Sequence, residues 1–198
     1  MTRDSSACAG LLMAWIDGYR VVTMNTPEPD INADLADEYR HFLSGRRSVQ
    51  LATIGADQTP LASYAPCVID AERRVYVMLS DLSAHTRNIL QHNSVSALLI
   101  EDEAEAKNMF ARHRVTFACD AAEINRESTT WERTIADFRK RFGDIVDTLC
   151  TLSDFHLFQL TPRSGVFVKG FGKAYTLHGD GLDKLSHITF TPRPTASS

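Results

Sequence analysis

Three extended segments crowd into the stretch from Ser48 to Ser80: SVQLATI at 48–54, LASYAPCVID at 61–70 and RVYVMLS at 74–80. They are rich in β-branched and aromatic residues and are joined only by GADQTP and an acidic turn at Asp70 to Arg73. Such links are too short for a parallel crossover, so the three form an antiparallel meander. SVSALLIED at 94–102, RVTFACDAAEI at 114–124 and FHLFQLTPRSGVFVKGFGKAYTL at 155–177 add further strand-like sequence. Six or seven short antiparallel strands leave exposed edges unless the sheet closes on itself. The expected fold is therefore mainly β with α, a closed or nearly closed antiparallel barrel with helices outside. A two-layer α+β sandwich is the competing architecture. Neither GxGxxG nor a Walker A sequence is present, and βαβ regularity is missing.

Helical spacing interrupts this pattern. Ile31, Leu35, Tyr39, Phe42 and Leu43 predict a short amphipathic helix ending before Gly45. DLSAHTRNILQH predicts another, with Asp81 or Ser83 as its cap. Good helix formers also run from Glu101 to Ala111. Trp131, Ile135, Phe138, Phe142, Ile145 and Leu149 place one apolar stripe along a predicted helix of roughly 20 residues, with Asp147 almost opposite Trp131. The apolar run at 94–102 suggests a strand buried on both faces. Residues 155–177 read as a hairpin with Gly165 at or near its turn, and with Gly170 and Gly172 loosening the second strand.

A length of 198 residues fits one domain with appendages. Residues 1–30 read as a poorly ordered leader, 31–178 as the barrel domain and 179–198 as a C-terminal segment. The apolar stretch Ala9 to Ile16 is far too short to span a membrane, and Met24 is an alternative start. A net charge of −4 without a basic block argues against nucleic acid or an anionic membrane as partner. Cys8, Cys67, Cys119 and Cys150 lack zinc or disulfide-framework spacing, and free thiols point to the cytoplasm.

Chemistry has few candidates. The seven histidines form no HExxH and no metal-site spacing, and no GxSxG elbow is present. SDLSAHTRN at 80–88 turns from strand into helix and gathers Ser83, Thr86, Arg87 and Asn88, a set able to hold a phosphate or simply to cap a helix. Lys107, Arg112, His113 and Arg114 form a second cationic cluster, directly preceded by acidic residues. His178 and His187 lie in the C-terminal part, where either can present a neutral imidazole nitrogen to a haem iron.

LATI with SYAPCV, SDLSAHTRNI, IEDEAEAKNMFARHRVTF, RFGDIVDTL and GVFVKGFGKAY occur in one order between Ile31 and Ile188. In these segments the chain closely resembles the haem-utilisation (HugZ/HutZ-like) branch of the pyridoxamine 5′-phosphate oxidase-like, FMN-binding split-barrel family. The resemblance implies a six-stranded antiparallel split β-barrel with surrounding helices, paired as a homodimer, with the cofactor site shared between subunits. It implies haem as the bound group, oxidative ring cleavage releasing iron, and an external reductant. The match LDKLSHI puts the axial ligand to haem iron on His187, and RFGDIVD puts a proximal-environment and catalytic role on Asp147. Two alternatives accompany it: an FMN-dependent oxidoreductase with Ser83, Thr86 and Arg87 at the flavin phosphate, and a non-catalytic haem carrier using the same His187. Flavin-binding relatives gather several basic residues at the phosphate, whereas SDLSAHTRN offers Arg87 alone.

Overall fold

A computed structural model of the chain describes residues 12–16, 19–23 and 33–189. It divides into a unit at Met1–Ile31 and a unit at Asn32–Ser198. The first unit contains β1 (Leu12–Ile16) and β2 (Tyr19–Thr23), paired antiparallel, within the segment read as leader.

The second unit begins with α1 (Ala33–Gly45), whose Leu35, Tyr39, Phe42 and Leu43 are buried as the spacing predicts, while Ile31 lies outside the described residues. Strands β3 (Ser48–Ile54), β4 (Pro60–Ile69) and β5 (Val75–Ser80) form the expected meander. Helix α2 (Ala84–Gln91) follows, then β6 (Ser94–Ile100), β7 (Arg114–Glu123), α3 (Thr129–Phe142) and α4 (Ile145–Thr151). The chain continues through β8 (Phe155–Gly170), β9 (Lys173–His178) and β10 (Lys184–His187). Strand order β8-β5-β4-β3-β6-β7, with β7 pairing back onto β8, closes a six-stranded antiparallel barrel, and β9 and β10 extend outward from β8. The barrel expectation holds and the sandwich is excluded.

Several local expectations are corrected. The stripe from Trp131 to Leu149 is not one helix: Gly143 at φ +78 ends α3, and Asp144 starts α4. A left-handed glycine stops the ladder although the apolar spacing runs on. Trp131, Ile135 and Phe138 bury against Val68, Tyr76, Met78 and Leu157, whereas Ile145 is exposed. Full burial of side chains this size stabilises by about 1.5–3 kcal/mol each. Ser128 caps α3 by accepting from the Trp131 N–H.

The segment 155–170 is one strand rather than half of a hairpin turning at Gly165. Its first half pairs with β5, its second half with β9, and β7 follows it on the other edge, with a register break between Ala118 and Cys119 opposite Pro162 and Ser164. Gly165 gives room where β8 passes between neighbours: a Cβ there would lie 2.7 Å from Phe117 Cδ1 and 2.9 Å from Leu177 Cδ1. The turn lies at Phe171–Gly172, between the paired Gly170 and Lys173, with Gly172 at φ +69. Strand β6 buries alternate residues rather than both faces. Residues 101–111 are turns ending in a short 3₁₀ element at Met109–Ala111, because helix formers without an apolar stripe have no core to pack against.

Two adjacent rows on the outer face of the barrel carry no charge. Cross-strand register aligns Val166, Thr116, Leu98, Gln50 and Tyr64 in one row, and Ser164, Ala118, Ser96, Ala52 and Ala62 in the next. Tyr64 is 61% exposed. Gln50 Oε1 is enclosed yet has no hydrogen-bond partner among the described residues.

Candidate functional site

His187 ends β10, the strand farthest from the barrel, and is exposed. Register pairs it with Tyr175 on β9, and their rings meet edge to face with centroids 5.3 Å apart. The contact continues inward from Tyr175 to Phe167 at 6.4 Å and from Phe167 to Tyr39 on α1 at 5.5 Å. An aromatic ladder thus ties the outermost strand to the core. His187 Nε2 lies 3.0 Å from the Gly172 carbonyl oxygen. A carbonyl only accepts, so Nε2 carries the proton and Nδ1 holds the lone pair.

Imidazole with a free lone pair and a backbone carbonyl on its other nitrogen is the ordinary arrangement around a metal-binding histidine. Among the described residues no three His, Cys, Asp or Glu side chains group to hold a metal by themselves. A single exposed imidazole so arranged fits an iron whose remaining ligands come with its own ring, as in haem. His178, the other C-terminal candidate, is held differently: its Nε2 contacts the Ser186 hydroxyl at 2.7 Å.

Asp147 stands in the first turn of α4, exposed, and accepts from Arg139 Nε at 2.5 Å. Its exposure agrees with expectation, but the reason differs, since Trp131 belongs to another helix. Asp147 and His187 lie on separate elements, with no hydrogen bond or ion pair between them within the chain.

The phosphate candidates divide. Ser83 is the N-cap position of α2, and its hydroxyl makes no capping bond. Arg87 is exposed and donates to the Asp81 carbonyl. Thr86 is fully buried and donates to the Ser80 carbonyl at 2.6 Å, so its hydroxyl secures the strand-to-helix turn. In the second cationic cluster Arg112 is spent on Glu103 and the Glu101 carbonyl, and the His113 N–H donates to the Glu101 carboxylate. These contacts are internal.

Sequence reasoning missed one cluster. His156 on β8 has Nδ1 2.6 Å from Glu123 Oε1 and Nε2 2.9 Å from Asp81 Oδ1. The hydrogen bond to Glu123 raises its pKa, opposed by desolvation and reinforced by Asp81. It lines a cleft of about 460 Å³ with Glu123, Arg126, Trp131 and Phe155. Arg126 donates to the carbonyls of Cys150, Leu152 and Phe155, and lies over the Trp131 ring. Positions 81, 123 and 156 are too far apart in sequence for spacing to reveal them.

The sequence profile described as Pyridoxamine 5'-phosphate oxidase matches residues 35–169. The chain is 44% identical over 154 residues to the protein described as haem oxygenase HutZ of Vibrio cholerae, covering 78% of this chain and 87% of that one. A crystal structure of HutZ, described there as a haem storage protein, superposes with a TM-score of 0.63 over 67% of this chain and 93% of its own. That of Campylobacter jejuni ChuZ shares the fold, with a TM-score of 0.72 at 24% identity over 98% of this chain and 85% of that one. Barrel closure, profile match and identity agree: the chain belongs to the HutZ-like branch of the pyridoxamine 5′-phosphate oxidase-like split-barrel family.

Proposed function

We propose that this protein binds haem in haem utilisation and opens the porphyrin ring oxidatively, using electrons from an external donor. The observation that carries the reading is His187, an exposed imidazole held by its own hairpin in a chain 44% identical to a haem oxygenase. Haem as substrate supplies the redox chemistry of its own cleavage. His187 holds the iron through an imidazole nitrogen and fixes which side of the ring stays open. The Gly172 carbonyl, accepting from Nε2, makes the imidazole a stronger donor, and Asp147 adds a carboxylate to the proximal environment.

Because Asp147 and His187 do not meet within one chain, their cooperation requires a second copy. The homodimer is proposed to form through the uncharged outer rows of the barrel, where a partner would cover Tyr64 and reach the unpartnered Gln50 Oε1. Arg139, now paired with Asp147, then shares that carboxylate with the site. No helix among the described residues is long and apolar enough to cross a membrane. Free Cys67, Cys119 and Cys150 support the cytoplasm as location.

A flavin-dependent oxidoreductase is the second reading, favoured by the unspent Ser83 hydroxyl and the exposed Arg87, and weakened by the burial of Thr86. A haem carrier would use the same His187. Absorption spectra separate the three. Haemin-loaded protein given ascorbate in air is expected to lose its Soret band to biliverdin-like products. A Soret band that persists with every donor tried means carriage. Purified protein with bands at about 370 and 450 nm and no response to haemin means flavin.

A further inference from the structure

The haem reading uses only the Gly172 carbonyl of the β8–β9 turn, yet the turn carries three further features that suit a porphyrin. Phe171 at its tip is 83% exposed, an aromatic ring left in water with no core to serve. On either side stand Gly170 and Gly172, where an added Cβ would meet nothing within 4 Å. Space around the tip is therefore open on both flanks. The Gly172 carbonyl holds the His187 ring, which fixes the turn beside the candidate ligand. Lys173, the next residue, is exposed and carries an ammonium group.

We infer that this turn is a haem-contact element, in which Phe171 packs against the porphyrin and Lys173 pairs with a propionate. The inference rests on the haem reading above and adds two binding residues to it. Haem is a broad apolar plate with two carboxylates, so a histidine alone recognises only its iron. An exposed phenyl recovers its hydrophobic cost when a flat apolar surface covers it. An ammonium at the rim selects the carboxylate edge and is screened by salt. The turn is built to permit this: left-handed Gly172 closes a two-residue connection, leaving Phe171 as its only side chain.

The test measures haemin release from the loaded full chain to excess apomyoglobin, with the Soret position recorded for each variant. Phe171→Ala is expected to speed release by about tenfold or more, the equivalent of losing most of one buried aromatic contact. Its Soret position stays that of the unaltered protein, since iron ligation is untouched. Leu82→Ser removes an equally conspicuous exposed side chain, 87% accessible, and is expected to leave release unchanged. Lys173→Ala is expected to abolish the preference for haemin over its dimethyl ester. Release unchanged in Phe171→Ala, or a preference intact in Lys173→Ala, overturns the corresponding contact while the haem reading stands. Failure of the unaltered protein to take up haemin with a His187-dependent Soret band overturns both.

Discussion

Replacing Gly165 with alanine tests how the outer hairpin is joined to the barrel. Gly165 pairs with Phe117 on one side and Leu177 on the other, so the added methyl meets two buried side chains at once. Its ideal position lies 2.7 Å from one and 2.9 Å from the other, closer than carbon atoms approach without displacement. Phe117 is fully buried and cannot swing into solvent. Overpacking of this kind costs about 1–3 kcal/mol. For a domain of this size each kcal/mol lowers the melting temperature by about 2–4 °C, giving a loss of about 2–12 °C. Gly170→Ala in the same strand meets nothing within 4 Å and is expected to be nearly neutral. Differential scanning calorimetry on both variants, with Phe117→Leu and the Gly165→Ala/Phe117→Leu double variant, completes the comparison. The double variant should cost less than the two single changes added together, because leucine makes room for the methyl. Equal melting temperatures for Gly165→Ala and Gly170→Ala, or strict additivity in the cycle, would refute the reasoning.

Two further outcomes are expected. His156 has its pKa raised above its unfolded value, chiefly by Glu123, so its stabilising contribution is complete below about pH 6.5 and is lost as pH rises through the folded value. Urea midpoints at pH 6 and pH 9 should differ more for the unaltered protein than for His156→Gln; an identical pH dependence in both removes the cluster from the account. Burial pushes the Cys67 and Cys119 thiols up to about 12, so both should resist iodoacetamide at pH 8 while half-buried Cys150 reacts before either. Labelling of Cys67 or Cys119 ahead of Cys150 in folded protein would contradict the buried placement.

What the sequence made legible follows from which signals are local. Strand β3 matches its expected span because alternation and turn residues act within a few positions. The helix stripe misled at Gly143 because periodicity records which residues are apolar, whereas a left-handed backbone depends on the glycine between them. A glycine at 165 suits a turn by sequence alone, yet it is there for the space its missing Cβ leaves between Phe117 and Leu177. Only the tertiary neighbours distinguish these two uses. His187 was reachable through resemblance, and its partners Gly172 and Tyr175 only through the hairpin register. The two carboxylates around His156 come from the β5–α2 turn and the end of β7, and left no sequence signal.

The proposed binding of haem by this protein turns on His187 as the iron ligand. Titration of the unaltered protein and of His187→Ala with haemin, followed at the Soret band, tests it most directly. The unaltered protein is expected to give a saturating, shifted Soret band, and His187→Ala to lose binding or show a large spectral change at an unchanged melting temperature of the apoprotein. Identical affinity and an identical spectrum in the two proteins would contradict it.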